Sequence, residues 1–231
     1  KWKAMNEIDM ILTCAILVSN TIICGTRCGK IITFSKTMDI KSVYDICSDA
    51  VTGLVLVDDS ESVLFCTRGG QLGRFDLQSG LNSLEPKSTI SYEGFTDCNH
   101  VYGFHDKAFH LVSVTCKSTL LSVDCGGGHR LWQVCGNWFY YLRDGCLNTV
   151  SLENPPMQSL KPGLHLLELR CMLDLDDGCT ITGGEDGALF LLNPSCALYK
   201  VQFDAAIKAM CQYGDLIILC GAKGLLAAVR V

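Results

Sequence analysis

His100, His105 and His110 stand five residues apart with Cys98 just ahead of them, and metal binding is the first chemistry such a group suggests. Imidazole nitrogens and thiolates are the common zinc ligands. On a strand, an odd step of five sends neighbouring side chains to opposite faces, so one continuous strand cannot present all three to one ion. Loops would have to gather them, and surface loop histidines are the reading adopted here. Cys24 and Cys28 form a tight cysteine pair with no second half to complete a tetrahedral site. Asp58-Asp59 and Asp176-Asp177 are paired carboxylates, but each precedes an apolar run, where Asp ordinarily serves a turn. Gly126-Gly127-Gly128 lacks the strand–Gly-x-Gly-x-x-Gly–helix setting of a dinucleotide site, and no phosphate-cradling P-loop is present. There is no Gly-x-Ser-x-Gly elbow. Activating a thiol requires a neighbouring base or a helix N-terminus, and no clear helical pattern is found. The expectation is therefore a protein that is not an enzyme, with no catalytic residue, no metal and no cofactor.

The elements that would carry any site are strands. The chain has 231 residues, 48% of them hydrophobic and 19% charged, which excludes intrinsic disorder and supplies a core. Its net charge of −5 gives no general affinity for nucleic acid. No run approaches the roughly 18 apolar residues of a membrane-spanning helix. No secretory leader pattern opens the chain, which begins at Lys1 rather than Met, and we expect a fragment or processed piece of something larger. The 15 cysteines are odd in number and evenly spread, unlike a disulfide framework. Cys24, Cys66 and Cys220 sit inside apolar runs and read as small buried hydrophobes in a reducing compartment, cytoplasm or nucleus.

One pattern recurs six times: a short apolar strand, a tight polar turn, then a second apolar strand. The copies are Thr21–Phe34, Ser62–Phe75, His110–Val123, Trp138–Val150, Cys179–Leu192 and Leu216–Val229. Their turns centre on Gly29, Gly70, Ser118, Gly145, Gly187 and Gly224, at intervals of 41, 48, 27, 42 and 37 residues. A period near 40 residues is that of a propeller blade. The 27-residue step is too short for four strands; either a strand is lost there or residues are missing. Asp-Gly in the fourth and fifth turns is a strong hairpin signal. Tyr44, Trp132 and Tyr199 mark short aromatic strands after a hairpin. Lys1–Ala4, with Trp2, has the same look without a hairpin before it, while the sixth hairpin has no strand after it. The two loose ends suit each other if the N-terminal strand closes the last blade, which removes exposed sheet edges. Gly163–Cys171 reads as a helix or as a strand.

These hairpins, above all Thr182–Leu192, resemble WD40-type repeats, and Leu121–Trp132 is also similar to quinoprotein-like propeller repeats. The Trp-Asp dipeptide of many WD40 repeats is absent; Phe75-Asp76 and Val123-Asp124 stand nearest to it. Gly128-His129 is the sole Gly-His pair, at the wrong place for a repeat opening. The resemblance implies an all-β propeller of six or seven four-stranded antiparallel blades, residues 1–231 forming a single domain. In such blades the hairpin turns gather at one end face. Arg27, Arg68, Lys117, Arg143 and Lys223 lie in five of the six turns, the fifth turn carrying Glu185 and Asp186 instead. Clustered cations bind carboxylate or phosphate oxygens. The implied function is a non-enzymatic scaffold for protein–protein interaction inside a larger intracellular complex. The alternative is an accessory subunit that reads an acidic or phosphorylated motif for an enzyme.

Overall fold

The computed structural model describes residues 11–57, 62–128, 132–143, 146–153, 158–162, 165, 167, 169–175, 179–192 and 198–230. Among them the chain is all-β, with a single 3-10 turn at Ala222–Gly224. The strands are amphipathic with period two. In Leu12–Val18 every second residue is exposed, as the pleat dictates. The chain divides into two compact units, Lys1–Gly127 and Gly128–Val231.

In the first unit, sheet 1 holds β1 (Leu12–Val18), β2 (Thr21–Thr26), β3 (Lys30–Ser35) and β4 (Ile40–Asp45). Sheet 2 holds β5 (Val51–Leu56), β6 (Ser62–Thr67), β7 (Leu72–Asp76) and β8 (Asn82–Leu84). Sheet 3 holds β9 (Ser91–Asp97), β10 (His100–His105), β11 (Ala108–Ser113) and β12 (Thr119–Asp124). Each is an antiparallel meander in chain order, and the first strands neighbour one another, β1 beside β5 and β5 beside β9. Ile23, Ile31, Val51, Phe65 and Phe75, all 0% exposed, form the core between sheets 1 and 2. Burying one such side chain contributes roughly 1.5–3 kcal/mol. Cys66, Leu72, Tyr92, Val101 and Val112 do the same between sheets 2 and 3.

In the second unit, sheet 4 holds β13 (Trp132–Cys135), β14 (Trp138–Arg143), β15 (Cys146–Ser151) and β16 (Gln158–Pro162). Sheet 5 holds β17 (Leu169–Asp174), β18 (Thr180–Gly184), β19 (Ala188–Leu192) and β20 (Leu198–Gln202). Sheet 6 has three described strands, β21 (Ile207–Tyr213), β22 (Leu216–Gly221) and β23 (Leu226–Arg230). Strand β17 lies beside both β13 and β21. Ile181, Leu189, Ile207, Ile217 and Leu219 fill the space between sheets 5 and 6.

A single turn device recurs between second and third strands. Thr26 Oγ1 accepts the Lys30 N–H at 2.8 Å, and Thr67 Oγ1 accepts that of Gln71 at 3.0 Å. The glycine at the end of each turn then receives the chain leaving the fourth strand. The Gly29 carbonyl accepts from Ile46 and Cys47, that of Gly70 from Ser88, and that of Gly187 from Phe203. At Gly187 φ is +72° and a Cβ would lie 2.2 Å from the Phe203 oxygen, so the position excludes any side chain twice over.

That device identifies the true third copy. In sheet 3 the Lys107 carbonyl accepts from Cys125 and Gly126, the role of Gly29, Gly70 and Gly187 elsewhere. The turn equivalent to the others is Asp106-Lys107, between β10 and β11. His110–Val123, expected to be a second-to-third-strand hairpin, is instead the third-to-fourth-strand hairpin β11–β12. Replacing Ser118 by Lys107 makes the intervals 41, 37, 38, 42 and 37 residues, so no strand is lost and no residue is missing. The same slip misplaced Trp132, which lies in the first strand of sheet 4, paired with Tyr141, and does not follow a hairpin as a fourth strand. A glycine-free turn concealed the register.

Other expectations divide. The Tyr44 and Tyr199 segments are the fourth strands β4 and β20. Leu169–Cys171 is strand, part of β17, and not helix. Cys24 and Cys66 are buried, but Cys220 is exposed, because it alternates with the fully buried Leu219 and faces outward from sheet 6. The Lys1–Ala4 strand, Asp58-Asp59, Asp144-Gly145, Pro155-Pro156 and Asp176-Asp177 lie outside the described residues. No described helix is long and apolar enough to cross a membrane.

Candidate functional site

The turn cations have different surroundings. Arg27 is exposed in the β2–β3 turn, its N–H donating to Ile11 O at 2.9 Å, and its guanidinium makes no ion pair with a described residue. Arg68, in the β6–β7 turn, is 64% exposed yet donates to the Glu93 carboxylate at 3.1 Å. Arg143 ends β14, exposed and with interactions of its own. Lys223 is exposed at φ +55° in the β22–β23 turn. Lys117 departs from the set: it lies in the β11–β12 turn, at the other end of sheet 3, and pairs with Glu85. Exposed Lys107 occupies the equivalent position. The sheet 5 turn, read as acidic, has cations folded over it. Glu185 accepts from Arg170 Nε and Lys208 Nζ, each at 2.9 Å, and these bonds hold its carboxyl below the usual carboxylate range.

The histidines do not assemble. His100 Nδ1 lies 2.8 Å from Asp97, His105 Nδ1 3.1 Å from the Thr89 carbonyl, and the His105 and His110 rings stand 6.4 Å apart. No metal-holding group of His, Cys, Asp and Glu occurs among the described residues. Cys24 is buried and Cys28 exposed, on different surroundings. Burial pushes the Cys14 and Cys171 thiols up to about 11, and the Cys66 thiol also upward, away from the thiolate a nucleophile needs.

One polar cluster escaped the sequence. His165 Nδ1 is 3.0 Å from Asp186 Oδ1 and its Nε2 is 2.9 Å from Thr182 Oγ1. A carboxylate only accepts, so Nδ1 carries the proton; the Nε2 of a neutral ring then accepts from the Thr182 hydroxyl. Hydroxyl, imidazole and carboxylate in that order have the form of a nucleophilic triad. Burial decides against it. Thr182 is 0% exposed and the His165 side chain 1%, so no substrate reaches the hydroxyl. Phe190 closes the ring face edge-on at 4.8 Å. The cluster is a clamp that ties the segment before β17 to strand β18 and to the β18–β19 turn, where Asp186 also accepts the Ala188 N–H. Thr182 and Asp186, four residues apart around an Asp-Gly turn, were the available signal; His165, 17 residues upstream of Thr182, had no local mark.

The sequence matches no protein-family model and no curated protein. By shape it matches many solved chains. One, in the "Crystal Structure of Mitotic Checkpoint Complex", is 9% identical with a TM-score of 0.70, over 97% of this chain and 76% of that one. The fold is a β-propeller. At such identity the likeness speaks for architecture alone, because one propeller scaffold hosts many unrelated functions.

Proposed function

We propose that this β-propeller is a non-enzymatic module for protein–protein interaction within a larger intracellular complex. The observation that carries the reading is the exposure of the second-to-third-strand turns of sheets 1 and 2, where Arg27 makes no ion pair with a described residue and Arg68 is largely solvated. Propellers present rigidly held loops of this kind to partners. A chain of the same fold, the neighbour named above, belongs to a multiprotein complex. Arg27 and Arg68, with Arg143 and Lys223 on the corresponding turns of sheets 4 and 6, suit an acidic partner segment; Lys117 does not share their turn. The accessory-subunit reading uses the same cations to read an acidic or phosphorylated motif for an enzyme.

We also infer that residues 1–231 form one WD40-like domain closed by Lys1–Ala4 against β23. The edge strand β23 with its alternating exposure, and the apolar groove of about 360 Å³ beside it that includes Tyr199, Val201 and Val229, support this. Free thiols such as Cys24, Cys66 and Cys171 support a reducing compartment, cytoplasm or nucleus.

The test is quantitative affinity capture from cells of the parent chain and of the Arg27→Glu/Arg68→Glu variant. Stoichiometric partners lost at least tenfold in the variant, at unchanged melting temperature, are expected. An unaltered partner set would overturn the assignment to these turns.

A further inference from the structure

Sheets 2 and 6 carry the same pair of residues at the same place. In sheet 2, Cys66 of β6 pairs with Leu72 of β7, and with Gly53 of β5 just after a bulge between Val51 and Gly53. In sheet 6, Cys220 of β22 pairs with Leu226 of β23, and with Ala209 of β21 just after a bulge between Ile207 and Ala209. The register is the same in both, and Gly70 and Gly224 end the two turns at the same distance from the pair. The surroundings differ. Cys66 is 0% exposed and Leu72 6%, because sheet 3 lays Tyr92, Val101 and Val112 over them. Leu226 is 76% exposed, and Cys220 is exposed as well.

Directly paired residues share a face, so the register fixes the rest of this surface. Cys211 pairs with Ile218 and Ile218 with Ala228, alongside Ala209, Cys220 and Leu226. Ala209, Cys211 and Ala228 are exposed and Ile218 is half-buried. Arg230, 2.9 Å from Asp215, bounds the surface at the end away from the β22–β23 turn. The opposite face of the same strands packs on sheet 5 through Ile207, Ile217 and Leu219. An antiparallel sheet with one wet face alternates apolar with polar residues. Sheet 6 instead turns aliphatic side chains and thiols outward as well as inward. Contiguous apolar surface of this kind marks an interaction site.

The rest of the fold shows what covers such a face. It is another antiparallel sheet, as sheet 2 covers sheet 1, sheet 3 covers sheet 2 and sheet 6 covers sheet 5. A second copy of the chain has no free face of the covering kind in sheets 2, 3 and 6, because Val63, Val101 and Ile217 are each 0% exposed there. A strand added at the edge of β23, such as Lys1–Ala4, extends the sheet in its own plane and leaves the face open.

We propose that the outward face of sheet 6 seats an antiparallel β-sheet of a partner protein, whose alternate apolar side chains close over Cys220 and Leu226 as sheet 3 closes over Cys66 and Leu72. This rests on the protein-interaction reading above but uses a separate, apolar surface, so it does not depend on Arg27 or Arg68.

The exposed cysteines provide the test. Cys211 and Cys220 lie on the face, Cys28 lies beside Arg27, and Cys116 lies in the β11–β12 turn as a reference. The chain Lys1–Val231 is labelled with a maleimide, purified and in the cells that express it, and each site is read by mass spectrometry. All four should label in the purified chain. In cells Cys211 and Cys220 should label at least tenfold more slowly relative to Cys116, and Leu226→Glu should restore their rate at unchanged melting temperature. Arg27→Glu/Arg68→Glu should leave the protection in place. Labelling of Cys211 and Cys220 at the pace of Cys116 in cells overturns the proposal, and protection of Cys28 alone overturns it while supporting the turn face. Protection in the purified chain with a doubled mass in sedimentation assigns the face to a second copy and overturns the partner. Photo-crosslinking from Leu226→p-benzoylphenylalanine should reach a partner strand of alternating apolar residues; a helical segment there overturns the sheet assignment.

Discussion

Thr182 in sheet 5 and Thr33 in sheet 1 are both buried threonines on packed strands, at 0% and 8% exposure, and they end differently. The Thr182 hydroxyl is consumed by His165, which Asp186 holds in turn, and no solvent path remains. The Thr33 hydroxyl faces a cleft and has no described partner. A polar group inside a β core therefore has two meanings here. Where the protein completes the hydrogen bonds, the group is architecture; where it opens on a cleft, solvent completes them and the fold does not depend on it.

The largest effect should come from breaking the closed side. His165→Leu removes one donor from the Asp186 carboxylate, 10% exposed, and the acceptor of the Thr182 hydroxyl; a loss of about 3 kcal/mol is expected in equilibrium urea unfolding. A loss below about 1 kcal/mol would mean that the clamp does not hold sheet 5. Next is Gly187→Ala, which forces a positive φ on a side chain and drives its Cβ into the Phe203 carbonyl; about 2 kcal/mol is expected from the same measurement.

A smaller effect sharpens the contrast. His110 has both ring nitrogens buried with no hydrogen-bond partner, so it belongs to neither class. Burial, then the nearby His105, holds its pKa below the ordinary 6.5. The unfolded chain thus takes up the proton first. Stability present above pH 6.5 falls as pH drops through the folded-state value, by at most about 1.4 kcal/mol per pH unit. His110→Phe should flatten this part of the stability profile between pH 7 and 5. An unchanged slope would assign the acid sensitivity to other groups.

The strands were legible because alternation and turn glycines act locally, and Gly29, Gly70 and Gly187 mark turns that the structure keeps. The third repeat was not, because Asp106-Lys107 performs the glycine's backbone role with ordinary residues while Cys116–Ser118 offered a more obvious turn. The cations of the turns were visible as letters, yet the pairing of Arg68 with Glu93 and of Lys117 with Glu85 depends on residues 25 and 32 positions away in sequence. The cleft beside Thr33 was illegible for a similar reason. Its lining comes from four strands of one sheet and from the next sheet, and each Thr or Ser alone resembles any strand residue.

The most direct test of the contrast is thermal unfolding of Thr182→Val and Thr33→Val measured side by side. Each substitution keeps the shape and deletes the hydroxyl. Removing a partner from His165 should cost about 1–3 kcal/mol and lower the melting temperature by several degrees, whereas Thr33→Val should leave it unchanged or raise it. Equal losses in the two variants, or a larger loss at Thr33, would contradict the account.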